Sequence, residues 1–250
     1  MPQTFITILA AVTLVGIVQA AGLNDTGISD CLDDAGVVTT GVAAHPRQDC
    51  QYGRDAAAKA GKLTKVGGGS KGFDFTKIAN NGTDLPASAT LGSAATDWAC
   101  TRDNVTGLVW EVKTTSGLRS KDRSYTWYSS DPATNGGDIG TASNGTCDAA
   151  GRCDTEKFVT DVNAVGLCGA KDWRMPAVNE LESIPDRGIS APGPTIDTTY
   201  FPNTKASNFW SASADAGLSY YAWYVNFGDG NVGLNYKSSA LQVRLVRAGQ

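Results

Sequence analysis

The sequence predicts an α+β fold whose chain is cross-linked by disulfides. Three observations lead to this prediction: two helix-like segments precede a run of strand-like segments, glycine is abundant at 29 residues, and the six cysteines form an even number. A charged fraction of only 18% suits short strands joined by turns better than a helical bundle. Two helices followed by an antiparallel meander are typical of an α+β domain.

Two segments between residues 154 and 185 carry the signals of helices. Asp154 can cap a helix whose apolar residues recur at helical spacing, and Gly166 provides its C-terminal stop. A second helix is expected to begin at Pro176, a residue that suits the first helical position, and to end before Pro185.

Strands are predicted on both sides of these helices. An early strand is expected over 73–78, and another over 108–113 that pairs with the later sheet. Gly228-Asp229-Gly230 forms a hairpin turn between two of the later strands. The later strands are predicted over 208–213, 220–227, 231–237 and 241–247.

The N-terminus predicts export. An apolar run over 5–18 is followed by Val18-Gln19-Ala20, the small-residue pattern that signal peptidase cleaves, so 1–20 is interpreted as a signal peptide. The run is too short for a membrane span and no second one follows, so the chain is not expected to span a membrane. We expect a disulfide-bearing, Gly/Ser-rich extension over 21–97 and a domain over 98–250. The expected location is extracellular or on the cell surface, with the periplasm as the alternative.

The cysteines all follow the predicted cleavage site, as expected for disulfides in an exported protein. Zinc binding is the alternative, but no C-x₂-C pair occurs and His45 is the only histidine. The preferred pairs are two that close local loops, Cys31–Cys50 and Cys147–Cys153, and the pair that then remains, Cys100–Cys168.

Charge and motif content argue against nucleic-acid binding and against catalysis. The net charge of −4 is not that of a phosphate-tracking protein. His45 lies between Cys31 and Cys50, where a solvated loop histidine is favoured over a catalytic base. Glu180 and Glu182 point to different faces of a helix, so they do not form an acid–base pair. We expect a protein that is not an enzyme.

Several blocks of the sequence occur in a familiar order. The first reads Asp103-Asn104-Val105-Thr106-Gly107-Leu108-Val109-Trp110, and the second reads Gly166-Leu167-Cys168-Gly169, then Asp172-Trp173-Arg174-Met175-Pro176 and Glu180-Leu181. The closing blocks read Phe209-Trp210-Ser211, Ala222-Trp223-Tyr224-Val225 and Val243-Arg244-Leu245-Val246-Arg247. Together they resemble the Lcl C-terminal domain family, found at the end of bacterial collagen-like adhesins, over roughly residues 98–248.

This resemblance implies a C-type-lectin-like fold and an extracellular binding role. The Trp-Arg-Met-Pro element also resembles formylglycine-generating-enzyme-like domains, which share that architecture. Their reactive cysteine pair near the C-terminus has no counterpart, because no cysteine follows Cys168. Their oxidase chemistry is therefore not expected here.

The last forty residues resemble the variable region of proteins that diversity-generating retroelements target. Fixed framework residues, among them Trp223 and Lys237, alternate with open positions that are rich in Ser, Tyr, Asn, Asp and Gly. Such a mixture suits a binding surface, because Tyr gives rigid contact area and small polar residues give adaptable hydrogen bonds. An ordinary turn-rich sheet is the alternative. The predicted contact residues are Tyr220, Asn226, Asp229, Asn231, Leu234, Asn235, Tyr236, Ser239 and Gln242.

The expected ligand is an extracellular glycan or protein. Trp127 is the tryptophan most open to stacking on a sugar, because a polar, Gly-rich loop follows it. Asn226, Asp229 and Asn231 carry oxygen atoms of the kind that bind calcium, but the sugar-site tripeptides of C-type lectins do not occur, so no cofactor is expected. A structural subunit of an extracellular filament is the alternative function, with self-association as its signature.

Overall fold

The structure is a computed structural model that describes residues 24–36, 38–39 and 46–249. The predicted signal peptide and His45 lie outside these residues. The described part is an α+β fold with short helices and antiparallel sheets. Its α-helices are α1, Gly53–Lys59, α2, Thr155–Val165, and α3, Val178–Leu181. Within the described ranges, no helix has the length and apolar character needed to cross a membrane.

Helix α2 forms where the sequence predicts it. The Asp154 carboxylate accepts a hydrogen bond of 2.9 Å from the Lys157 backbone N–H, which is an N-cap. Phe158 and Val162 are buried on one face. Gly166 ends the helix with φ +68°, a left-handed conformation that glycine adopts without a steric penalty. Local signals therefore fix both ends of α2.

Helix α3 begins later than predicted, so the assignment of Pro176 as its first residue is wrong. The preceding segment is extended, because Arg174 exchanges two backbone hydrogen bonds of 2.9 Å with Val246 and the Pro176 carbonyl accepts from Ala212 at 2.6 Å. The Glu180 side chain then accepts from the Ala177 N–H at 2.8 Å and helps to start the helix.

The strands are short and belong to four separate sheets. Every pairing between named strands is antiparallel. The sheets have the orders β12-β6-β5-β3-β4, β10-β9-β8, β11-β7 and β1-β2. The strand bounds are β1 Cys31–Leu32, β2 Val38–Thr39, β3 Phe75–Ala79, β4 Asp84–Leu85, β5 Trp98–Asp103, β6 Leu108–Glu111, β7 Tyr125–Thr126, β8 Asn208–Ala214, β9 Tyr221–Asn226, β10 Val232–Tyr236, β11 Ala240–Leu241 and β12 Val246–Ala248.

The five-stranded sheet crosses the boundary that the sequence suggests at residue 97. Strand β3 pairs with β5 over most of its length, with Phe75 opposite Asp103 and Ile78 opposite Cys100. Phe73 and Phe75 are each 1% exposed and belong to the hydrophobic core. Residues 73–85 thus complete the same sheet as the C-terminal part of the chain.

The predicted strand over 241–247 is split into two. Strand β11 pairs with β7, whereas β12 pairs with β6 at the edge of the five-stranded sheet. Strand β6 pairs with the last of the predicted later strands through β12, as expected, but it lies in the five-stranded sheet rather than beside β8, β9 and β10. The last predicted strand therefore connects two sheets rather than extending one.

The sheet of β8, β9 and β10 is covered on both faces. Ala222 and Tyr224 contact one hydrophobic core, whereas Val225 and Phe227 are fully buried in a second core. Alternation along the predicted strand over 220–227 places Trp223, Val225 and Phe227 inside and Tyr224 and Asn226 outside. Val225 and Phe227 are buried as this pattern predicts. Trp223 is only half-buried, and Tyr224 packs inward rather than outward. A strand between two cores has no wholly solvent-facing side, which the period-2 pattern alone does not reveal.

The three preferred disulfides are all present. The Cys100–Cys168 bond joins β5 to the turn after α2, with 6.4 Å between the Cα atoms. The two local bonds, Cys31–Cys50 and Cys147–Cys153, each have a Cα–Cα distance of 5.3 Å.

Candidate binding surface

All but one of the predicted contact residues, Gln242, divide into two groups at opposite ends of the β9–β10 hairpin. Tyr221 pairs with Tyr236 at one end, and Val225 pairs with Val232 near the turn at the other. Asn226 lies five residues further along the strand than Tyr221, a distance of roughly 17 Å. A small ligand is too short to span both ends of the hairpin.

Three tyrosine rings cluster at the first end. The ring centroids lie 4.9 Å apart for Tyr220 and Tyr221, 4.5 Å for Tyr221 and Tyr236, and 5.9 Å for Tyr220 and Tyr236. Tyr220 is 48% exposed, Tyr236 is 53% exposed, and the neighbouring Leu218 is 43% exposed. We call these three residues, together with Tyr221, the tyrosine surface. Contiguous exposed aromatic and apolar side chains are typical of interaction sites.

The tyrosine surface is uncharged at its centre. A hydrogen bond with the Tyr236 side chain raises the pKa of Tyr221 to about 12. The Tyr221 hydroxyl is therefore protonated and neutral at physiological pH. Such a surface favours ligands with apolar faces and neutral hydrogen-bonding groups over strongly charged ones.

A short, well-ordered turn positions Leu218 and Tyr220. The Asp215 carboxylate accepts hydrogen bonds from the backbone N–H groups of Gly217, at 3.0 Å, and Leu218, at 2.7 Å. The Leu218 carbonyl then accepts from the Tyr221 N–H at 2.9 Å. These bonds fix the turn, so its residues have little conformational entropy left to lose in an interaction.

Lys237 connects the tyrosine surface to a neighbouring loop. Lys237 is 2% exposed, and its ammonium group donates hydrogen bonds of 2.7 Å to the carbonyls of Asn135 and Asp138. It lies 4.3 Å from the centroid of the Trp127 ring, and its backbone N–H donates to the Tyr220 carbonyl at 3.0 Å. Burial lowers the pKa of Lys237. The sequence marks Lys237 as framework but gives no indication of this role.

Trp127 is buried, so its prediction as an exposed sugar-stacking residue is wrong. It is 2% exposed, and its indole N–H donates to the Ser211 carbonyl at 2.9 Å. Its ring is covered by the Lys237 ammonium group. The polar loop that follows Trp127 folds back over it, which a local sequence pattern cannot indicate.

Two further predicted residues form the turn beside Tyr236. The Asn235 side-chain oxygen accepts from the Tyr236 N–H at 2.8 Å and from the Ser239 hydroxyl at 3.0 Å. Leu234 is half-buried opposite Trp223 in the hairpin.

Gln242 lies inside the fold, where a surface ligand does not reach. It is 8% exposed. Its backbone exchanges hydrogen bonds with β8, because its carbonyl accepts from the Trp210 N–H at 2.9 Å and its N–H donates to Asn208 at 3.1 Å. We therefore leave Gln242 out of the binding surface.

At the other end, Asn226, Asp229 and Asn231 stabilise the hairpin turn. The Asn226 side-chain oxygen accepts from the Gly228 N–H at 2.6 Å, and the Asp229 carboxylate accepts from the Asn231 backbone N–H at 3.0 Å and from its side-chain amide at 2.9 Å. These oxygen atoms are therefore engaged in turn contacts, the ordinary role of Asn and Asp in turns.

The sequence did not indicate a group of carboxylates in the N-terminal region. Oxygen atoms of Asp25, Asp49 and Asp55 lie within 4.8 Å of one another. Asp55 accepts backbone hydrogen bonds of 2.7 Å from Gly27 and Gly72, and burial raises its pKa. These contacts tie the N-terminal segment to the rest of the fold, a structural role that accounts for the group.

Comparison with known proteins places the C-terminal part of the chain in a family. The family described as the Lcl C-terminal domain matches residues 99–247, which is more than half of the chain. Neither the curated proteins nor the solved structures gave a match to the chain.

Proposed function

This chain belongs to the Lcl C-terminal domain family, and we propose that it is an extracellular ligand-binding module whose contact surface is the tyrosine surface. The observation that carries the proposal is the cluster of Tyr220, Tyr221 and Tyr236, whose rings contact one another. Tyr220 and Tyr236 are exposed, and Tyr221 is half-buried between them. Tyrosine combines a large apolar face with a polar hydroxyl and has few rotatable bonds, which suits it to recognition.

The ligand that this surface fits is a glycan or a protein of neutral character. Rings stack on the apolar faces of sugars or on aliphatic side chains, and the adjacent Asn235 and Ser239 provide neutral polar groups. The proposed function is binding rather than catalysis. Glu180 is one of the two carboxylates that the sequence offers as an acid–base pair, and its side chain accepts two hydrogen bonds of 2.6 and 2.7 Å from Arg174.

We further propose that the domain has a C-type-lectin-like architecture and that its C-terminal strands are diversified. Supporting this, framework residues such as Ala222 and Val225 are fully buried, whereas open positions such as Tyr236 and Asp229 are exposed. Substitution at the open positions would change the ligand without disturbing the core. The three disulfides are consistent with an oxidising, extracellular location.

A structural subunit of an extracellular assembly is the second candidate. One observation favours it: the N-terminal region carries apolar side chains that are largely exposed, with Leu32 at 46%, Val38 at 61% and Tyr52 at 58%. Light scattering on the purified protein distinguishes the two functions. A binding module gives a monomer or a small closed oligomer, whereas a filament subunit grows with concentration.

The proposal is tested by screening the labelled, oxidised protein against glycan and extracellular protein arrays. Tyr236→Ala is expected to weaken the captured interaction at least tenfold, because it removes an exposed aromatic contact while leaving the core intact. Tyr52→Ala is the matched control, since Tyr52 is equally exposed but lies in the N-terminal region. Equal binding by the wild type and Tyr236→Ala would contradict the proposed surface.

A further inference from the structure

A cleft distinct from the tyrosine surface lies near the end of α2. Its volume is about 750 Å³, within the range of sites that bind small molecules. Its walls come from the loop before β5, the turn after β6, the end of α2 and the loop around Asn203. No residue of the tyrosine surface lines it.

The walls combine apolar side chains with neutral polar groups. Leu91, Leu118 and Val165 contribute apolar area, and Val165 is 67% exposed. The hydroxyls of Ser93 and Thr115 form no hydrogen bond with the part of the chain that the structure describes. Such a lining suits a ligand that presents both C–H groups and hydroxyls.

Arg119 is the charged residue in this lining. Its Nη1 donates to two backbone carbonyls, that of Val112 at 2.5 Å and that of Ala99 at 3.1 Å. These bonds hold the guanidinium plane in one orientation. Within the described ranges, neither Nε nor Nη2 donates to a protein acceptor, and neither is sealed from solvent.

Arg119 differs from several other arginines because it forms no ion pair with a described residue. Other arginines, such as Arg102, Arg174 and Arg247, bind a carboxylate through the guanidinium edge. No carboxylate among the described residues lies within ion-pair distance of Arg119, and no acidic residue lines the cleft. Burial also lowers the pKa of Arg119, and the charge of Glu111 opposes this shift only in part, so the guanidinium is partly desolvated.

We infer that this cleft binds a sugar acid, with the ligand carboxylate on the Nε–Nη2 edge of Arg119 and the hydroxylated body against the neutral walls. The two nitrogens of that edge match the two oxygens of a carboxylate, and their orientation is already fixed by Nη1. The inference does not depend on the proposed function of the tyrosine surface.

The test is calorimetric titration of the full chain with sodium glucuronate, with glucose as the uncharged match. Saturable binding of glucuronate is expected, at least tenfold tighter than glucose, because a hydrogen-bonded charge pair is lost with the neutral sugar. Arg119→Lys keeps the charge but removes the two-nitrogen edge, so it is expected to weaken glucuronate binding about tenfold. Tyr236→Ala is expected to leave this binding unchanged, which separates the inference from the proposed function.

A second variant keeps the test valid if Arg119→Lys is unstable. Thr115→Trp fills the cleft from an exposed position and leaves the Arg119 hydrogen bonds in place, so it is expected to abolish glucuronate binding. Thr160→Trp is the control, because Thr160 is exposed on α2 and does not line the cleft. The inference is overturned if glucuronate does not bind, if glucose binds as tightly, or if Thr115→Trp binds glucuronate like the wild type.

Discussion

Replacing Lys237 by methionine should destabilise the protein and release the loop beside the tyrosine surface. The substitution keeps the length of the side chain but removes the ammonium group from its buried position. The carbonyls of Asn135 and Asp138 then lose their charged donor, and the Trp127 ring loses its cation.

The magnitude follows from these three contacts. A hydrogen bond to a charged group contributes about 1.5–3 kcal/mol, and a desolvated cation–π contact up to about 2 kcal/mol. Relief of the cost of burying the ammonium group offsets part of this sum. We expect the free energy of unfolding to fall by about 3 kcal/mol, which lowers Tm by roughly 6–12 °C for a domain of this size.

Urea denaturation measures the change in stability, and hydrogen exchange locates it. Exchange in Lys237→Met should accelerate at the amides of residues 135–140, because the loop loses its two central attachments. Lys62→Met is the matched control, since Lys62 is exposed and its replacement should change the unfolding free energy by less than about 0.5 kcal/mol. A loss below about 1 kcal/mol in Lys237→Met, or unchanged exchange in the loop, would refute this account of Lys237.

Two further predictions concern the core. Burial lowers the pKa of Lys113 to about 8, below its value of 10.5 in the unfolded chain. Between these values the unfolded state binds more protons, so the unfolding free energy should rise with pH over this window, by up to about 3 kcal/mol. Lys113→Met should lack this rise. If the unfolding free energies of the wild type and Lys113→Met changed in parallel with pH, the assignment of the rise to Lys113 would be wrong. Separately, the Cys100–Cys168 disulfide has a sequence separation of 68, and the Cys147–Cys153 disulfide has a separation of 6. Removing the first should cost roughly 2 kcal/mol more of the unfolding free energy than removing the second, measured by urea denaturation of each double Cys→Ser variant. Equal losses would contradict the chain-entropy argument for this protein.

Elements with complete local signals could be predicted from the sequence. Helix α2 has a capping residue, a regular apolar face and a terminal glycine, and it forms as predicted. Helix α1 was not predicted, although its three consecutive alanines favour a helix. Helix α3 starts late because tertiary pairing of Arg174 and Pro176 holds the preceding segment extended.

The candidate site was predictable only in part. Residue types predict Tyr220 and Tyr236 as contact residues, but alternation along the chain does not reveal that most of the predicted set lies at two opposite ends of a hairpin. The acceptors of Lys237 are 99 and 102 residues away in sequence, and no local pattern encodes such a contact. For the same reason, the free guanidinium edge of Arg119 is visible only in the folded chain.

The central claim is that ligand contacts the tyrosine end of the hairpin rather than its turn. The most direct measurement compares the affinity of two double variants for whichever array ligand the wild type captures. We predict that Tyr220→Ala/Tyr236→Ala loses at least tenfold in affinity, whereas Asp229→Ala/Asn231→Ala binds like the wild type. The reverse pattern, with binding lost at the turn and retained without the tyrosines, would contradict the account.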